Sequence, residues 1–189
     1  VNAVTADTGV SATARTKMSF NTLNTSGTLG MTINGTAITS AAVTTTDLTD
    51  LRDKINAISS TTGVVAALGS SNAVLNLEDL DGDNIVLTAM LHSDANATMN
   101  SKALNSAGGT VRTEGLTLNN DTAAAIGFVD LSSTKTFSLD ASTGTDYADT
   151  NATATNVSGI SIATASGASS AIVAIDGALE GMAMQRATL

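Results

Sequence analysis

Apolar and polar residues alternate over residues 10–20, with Val10, Ala12 and Ala14 followed by Met18 and Phe20, the spacing of a half-buried strand. Residues 29–33 (LGMTI) run into Asn34-Gly35, the strongest short hairpin signal, and residues 36–41 (TAITSA) are predicted to pair back. The period then changes. Over residues 46–60, Leu48, Leu51, Ile55 and Ile58 form one apolar stripe, predicting a helix capped by Thr46 or Asp47 and closed by Gly63. Residues 64–68 begin a strand, residues 69–72 turn, and residues 73–80 alternate through Val74, Leu75 and Leu77. Asp81-Gly82-Asp83 turns again, and residues 84–91 form a strongly apolar strand. The expected order is hairpin, helix and three-stranded meander, a compact α+β unit over about residues 28–91.

Polarity rises over residues 92–109, where a short helix is expected. Residues 111–118 alternate through Val111, Leu116 and Leu118, residues 122–127 read as a helical turn, and residues 128–139 supply one or two strands. Residues 140–156 are nearly all Ser, Thr, Asp, Asn, Ala and Gly and read as a linker or long loop. From residue 166 to 189 the pattern is helical. Ile172, Ile175, Leu179, Met182 and Leu189 make an apolar seam, with Ala171, Ala178 and Arg186 beside it. No other helix in the chain is long enough to cover that seam, so a further helix or a neighbouring subunit is expected to complete it. Gly177, Gly181 and Met184 also fall inside this helix, and each glycine costs roughly 0.5–1 kcal/mol there.

One phrase occurs twice, 54 residues apart: VNAVTADTGVSA at residues 1–12 and INAISSTTGVVA at residues 55–66. Asn2/Asn56, Ala3/Ala57, Thr8/Thr62, Gly9/Gly63, Val10/Val64 and Ala12/Ala66 are identical, and Val1/Ile55 and Val4/Ile58 stay branched and apolar. Each copy reads as the end of a helix, a glycine stop and the start of a strand. The chain opens on helix-like residues rather than Met, so both ends are expected to continue into a longer protein. Two modest lobes are expected: residues 1–150, built of such α+β units, and residues 151–189, a linker and the start of a helical rod.

Composition narrows the function. Aromatic residues are 2% of the 189, namely Phe20, Phe128, Phe137 and Tyr147, which argues against a ligand pocket of the usual aromatic lining. The net charge is −9 and the eight Lys and Arg residues are scattered singly, so there is no basic stripe for nucleic acid. No apolar run approaches the roughly 20 residues that cross a bilayer as a helix. Cysteine is absent, which excludes disulfides and thiolate metal sites. Proline is absent too, and Ser, Thr, Asn and Gly carry the turns, leaving a hydroxyl-rich surface suited to the outside medium.

Candidate chemistry is sparse. Asp79, Asp81, Asp83 and Asn84 invite a calcium reading, but the glycine stands at the fourth loop position and no distal Glu follows, so an Asp-Gly turn is expected. His92 has no second imidazole or cysteine to complete a zinc site or triad, and a strand-end or loop role is expected. Asp47, Asp50 and Asp53 repeat at three-residue spacing and read as complements of the helix dipole. Met182 and Met184 read as packing residues. Asn-x-Ser/Thr strings at Asn24, Asn34, Asn96, Asn120, Asn151 and Asn156 are the chance product of a Thr-rich chain. No catalytic, cofactor or metal residue is expected, and no HExxH, GxSxG or paired-carboxylate motif stands out.

MTINGTAI, LTDLRDKINAISSTTGVVAAL and AVLNLEDLDGDNIVLT together resemble the flagellin hook IN motif of flagellin outer domains and of the filament cap protein. The opening VNAVTADTGVSATA resembles the tail of a preceding copy, and SGISIATASGASSAIVAIDGALEGMAMQRATL is similar to the start of the flagellin C-terminal rod region. The resemblance leaves out about residues 92–149. It implies a structural, non-enzymatic subunit of the bacterial flagellar filament, extracellular and serving motility. Its implied partners are other flagellin subunits, with an export chaperone and the filament cap, and exposed Ser and Thr available for glycans. The long terminal helices that polymerise family members are missing here. A flagellar cap or other hook-associated protein shares the IN phrase, but not the AIDGALEGMAMQRATL continuation. A surface polysaccharide-binding module would need a cleft with aromatic or convergent polar groups.

Overall fold

A computed structural model describes residues 1–38, 40–133, 137, 160, 162–163 and 165–187. It is mainly antiparallel β-sheet with three short helices and one of 23 residues among the described residues, and it divides into two compact units. The larger is Ala14–Val129; the other joins Val1–Thr13 to Asp130–Leu189. In chain order the elements are a 3-10 turn at Asn2–Val4, α1 (Thr5–Thr8), β1 (Val10–Asn21), β2 (Gly27–Ile33), β3 (Thr36–Ala37), β4 (Ala41–Val43), α2 (Thr49–Asn56), α3 (Ser59–Thr62), β5 (Val64–Leu68) and β6 (Leu75–Asp79). They continue with β7 (Ile85–His92), β8 (Thr98–Leu104), β9 (Thr110–Thr117), β10 (Asn119–Ala125), β11 (Phe128–Ser133) and α4 (Ala165–Ala187).

The larger unit holds two sheets. One has the order β5-β6-β1-β8-β9, and the other runs β10-β7-β2-β3, with β4 also paired to β2. Their inward residues merge into one apolar cluster: Met18 and Phe20 from β1, Leu29 and Ile33 from β2, Leu75 and Leu77 from β6, and Ile85, Leu87 and Met90 from β7. Leu48, Leu51 and Ile55 join the same cluster, so the predicted stripe is the buried face of α2, with Ile58 packed at its margin. Phe20 is the one aromatic residue in that cluster, and the rest is Ala, Val, Ile, Leu and Met.

Several expectations are corrected. The predicted meander does not exist: β5 and β6 pair in one sheet, while β7 lies between β10 and β2 in the other. The turn after Asp79 redirects the chain, because the buried Asp79 Oδ1 accepts the backbone N–H groups of Asp81 at 3.0 Å and Asp83 at 3.1 Å. Residues 122–127 are not a helical turn; residues 122–125 belong to β10, which pairs with β7. The helix expected in residues 92–109 is replaced by β8, paired to both β1 and β9.

The predicted helix over residues 46–60 is broken. Ile58 leaves the helical region at φ −111°, ψ 8°, and Ser59 Oγ donates to the Asn56 carbonyl at 2.9 Å, taking an acceptor that helix continuation would use. Ser-Ser-Thr-Thr in α3 also has little intrinsic helix preference. At the start of α2, Leu48 occupies the cap position, and Asp47 Oδ1 accepts the Thr49 N–H at 2.8 Å.

β7 carries a bulge that its alternating pattern concealed. Ala89 adopts φ +50°, and the register shifts opposite it on both neighbours, between Gly30 and Thr32 and between Asp121 and Ala123. The extra residue resets the alternation, so Met90 and His92 turn inward where Ala89 and Leu91 would otherwise have done so.

The Asp47 carboxyl lies below its ordinary range, first because the Thr49 side chain and then its N–H donate to it, with the Arg52 charge adding to this. A depressed folded-state value contributes stability above the unfolded value of about 3.9 and loses it as pH falls through the folded value. Asp47→Ala is therefore expected to melt below the parent chain at neutral pH, with the gap narrowing on acidification below about pH 4. Thermal melts followed by circular dichroism test this; a gap of constant size would contradict it.

Candidate functional site

The two copies of the repeated phrase fold into the same hydrogen-bonded clasp. Asn2 Oδ1 accepts the Ala12 N–H at 2.7 Å while its Nδ2 donates to the Ala12 carbonyl at 2.9 Å. Asn56 makes the same pair with Ala66, again at 2.7 and 2.9 Å. Thr8 Oγ1 donates to the Val4 carbonyl at 2.9 Å and accepts the Val10 N–H at 3.2 Å; Thr62 does likewise with Ile58 and Val64, at 3.1 and 3.3 Å. Gly9 and Gly63 both sit in the left-handed region, at φ +69° and +76°. Their N–H groups bond to Thr5 and Ser59 at 2.7 and 2.9 Å.

The physical role of the clasp follows from which backbone groups it takes. Ala66 stands opposite Leu77 on β6, and Asn56 engages both its N–H and its C=O. One asparagine side chain thus supplies what a neighbouring strand would have supplied, and β5 is the outer strand of its sheet. The glycine is equally constrained, since a Cβ at Gly63 would meet Asp79 Oδ2 at 2.6 Å. The copies differ in cover. Ile55 is fully buried and Ile58 packs against the core, whereas Val1 and Val4 are 61% and 47% exposed.

On α4, Ile172, Ile175, Leu179 and Met182 are all exposed, at 45–62% of their surface. At 100° per residue these four fall within an arc of about 80°, a narrow stripe of the kind that seats against a second helix. Ala171 is buried, and Ala178 and Arg186 are exposed. Leu189 and the Met184 side chain lie outside the described residues, as does the predicted linker at residues 140–156.

The other candidates act separately. Asp47 holds the Thr49 N–H, Asp50 Oδ2 accepts the Ala42 N–H at 2.7 Å, and Asp53 pairs with Arg52 at 2.6 Å, so the three carboxylates do not converge. Asp79 folds its own loop, and among the described residues no three His, Cys, Asp or Glu side chains are grouped to hold a metal. His92 is the last residue of β7. Its Nδ1 accepts the Asp94 N–H at 3.0 Å, which puts the neutral ring's proton on Nε2, and it leaves room for no side chain at Gly27, where a Cβ would lie 2.7 Å from Nε2. Asn24 and Asn34 bind backbone: Asn24 Oδ1 accepts the Thr98 N–H at 2.7 Å, and Asn34 bridges the Val86 N–H and the Thr62 carbonyl at 2.8 and 3.0 Å. Asn151 and Asn156 lie outside the described residues.

Both glycine stops were legible in the sequence, whereas the asparagine clasp was missed. The available signal was the identity of Asn2 with Asn56 and of Ala12 with Ala66, each pair ten residues apart. Compared with known proteins, the chain matches no protein-family model and no curated sequence.

Removing the Asn56 amide, whose two bonds to Ala66 are part-buried, should leave both Ala66 groups without a partner. Asn56→Ala is expected to lower unfolding stability by about 1–3 kcal/mol in urea titrations. Asn2→Ala should cost less, because the bonds of the first clasp are exposed and water replaces them. Equal losses at the two positions would refute this account of the difference.

Proposed function

We propose that this chain is the surface-displayed part of a bacterial flagellin, joined to the start of its C-terminal rod helix, and that it serves as an extracellular filament subunit in motility. The observation that carries the reading is the exposed apolar stripe of Ile172, Ile175, Leu179 and Met182 on α4, in the segment whose phrasing resembles the flagellin rod. The β-rich unit with its clasps fits the IN-type outer domain, and its acidic, hydroxyl-rich surface fits permanent exposure to the medium. In this reading the chain is a building material: α4 packs in the filament wall beside other subunits, and the sheets project outward. The continuation AIDGALEGMAMQRATL favours the filament subunit over the cap or another hook-associated protein.

Antibodies raised against the chain are expected to decorate flagellar filaments along their length in immunogold micrographs of the source bacterium. Labelling confined to the filament tip would favour the cap, and absence of label from filaments would refute both. In the complete gene product, Leu179→Ala removes a side chain whose burial is worth about 1.5–3 kcal/mol, so filaments should be fewer or shorter. Normal filaments from that variant would remove α4 from the assembly surface.

A further inference from the structure

We infer that the free edge of β9 pairs with β9 of a second copy, joining two chains through one antiparallel strand pair about a twofold axis. β9 ends its sheet, with β8 as its neighbour on the other side. The Leu118 N–H bonds to the Ala97 carbonyl at 2.8 Å, which sets the alternation along the Met99↔Leu116 and Ser101↔Glu114 register. From Arg112 to Thr117 the even-numbered residues of β9 therefore hydrogen-bond inward to β8 and the odd-numbered ones present N–H and C=O outward; a register shift opposite Ala103 and Leu104 ends this alternation at Val111. At Thr117 the outward N–H is taken by Asp121 Oδ2 at 3.1 Å. At Thr113 and Gly115 no described group takes it, and both residues are exposed. The opposite edge of the same sheet, β5, is closed by Asn56, so the two edges are treated differently.

The charges on β9 choose the occupant and the register. Arg112 and Glu114 project on the same face of the strand and pair with each other within the chain. If Thr113 of one copy sits opposite Thr113 of the other, each Arg112 comes directly opposite Glu114 of the second copy, giving two opposite-charge cross-strand pairs. Sliding by two residues sets Arg112 against Arg112 or Glu114 against Glu114, which is repulsive. Sliding by one breaks the backbone alternation.

The test is sedimentation of the 189-residue chain over a range of concentrations. A reversible monomer–dimer equilibrium is expected, weakened about tenfold by R112E or by E114R alone and restored by the double swap R112E/E114R. Thr113→Pro removes an outward N–H without touching the β8 ladder, and should abolish the dimer while leaving circular dichroism and melting unchanged. Because the chain has no cysteine, Thr113→Cys should give disulfide-linked dimers on oxidation, the facing Cα atoms being about 5.5 Å apart; Ser26→Cys, in an exposed loop, should not. A chain that stays monomeric throughout would overturn the inference, since Arg112 and Glu114 would then be guarding the edge. So would a dimer that survives Thr113→Pro but is lost with Leu179→Asp, or a double swap that restores nothing.

Discussion

Every open backbone edge in this fold must find partners for its N–H and C=O groups, and asparagine supplies many of them. Its side-chain amide is a peptide group in miniature, able to donate and accept in the same plane. Asn2 and Asn56 each satisfy both groups of a residue ten positions ahead. Asn34 ties the tip of the β2–β3 hairpin to β7 and α3, and Asn24 receives the start of β8. With no proline to blunt edges and few bulky aromatics to bury them, this chain closes its β5 edge by side-chain hydrogen bonding.

That choice explains what the amino-acid pattern revealed and what it hid. Apolar periodicity located β1, the β2–β3 hairpin, the buried face of α2 and the strand pair β5–β6, because each buries side chains on a regular spacing. Gly9 and Gly63 were legible because only a residue without Cβ sits easily at those backbone angles. Periodicity carries no information about which sheet a strand enters, so β7 was misplaced once Asp79 redirected the chain. A bulge at Ala89 leaves an apolar strand looking apolar, and short polar strands such as β8 and β10 resemble loops until their neighbours are known. The clasp depends on asparagine side chains reaching across ten residues, a relation that hydropathy does not register.

The candidate assembly surface was legible in a different way. Ile172, Ile175, Leu179 and Met182 stood out because they repeat at helical spacing, and they are exposed on α4 among the described residues. The carboxylates and the histidine were conspicuous by residue type alone. Their geometry gives each of them a local role, since Asp79 shapes a loop, Asp50 binds β4, and His92 ends β7 against Gly27. These groups hold the scaffold in shape, while the α4 stripe and the Thr113 and Gly115 positions of β9 are exposed.

The clasp closes over only ten residues, so its hydrogen bonds can form without waiting for distant strands to arrive. Loop-closure entropy for so short a span is small, whereas β1 must wait for β6 and β8, more than fifty positions away along the chain. A chain emerging from a narrow conduit end first would acquire each clasp as soon as its own dozen residues were free. Folding would then begin as a series of local knots, with the long-range sheets assembled around them.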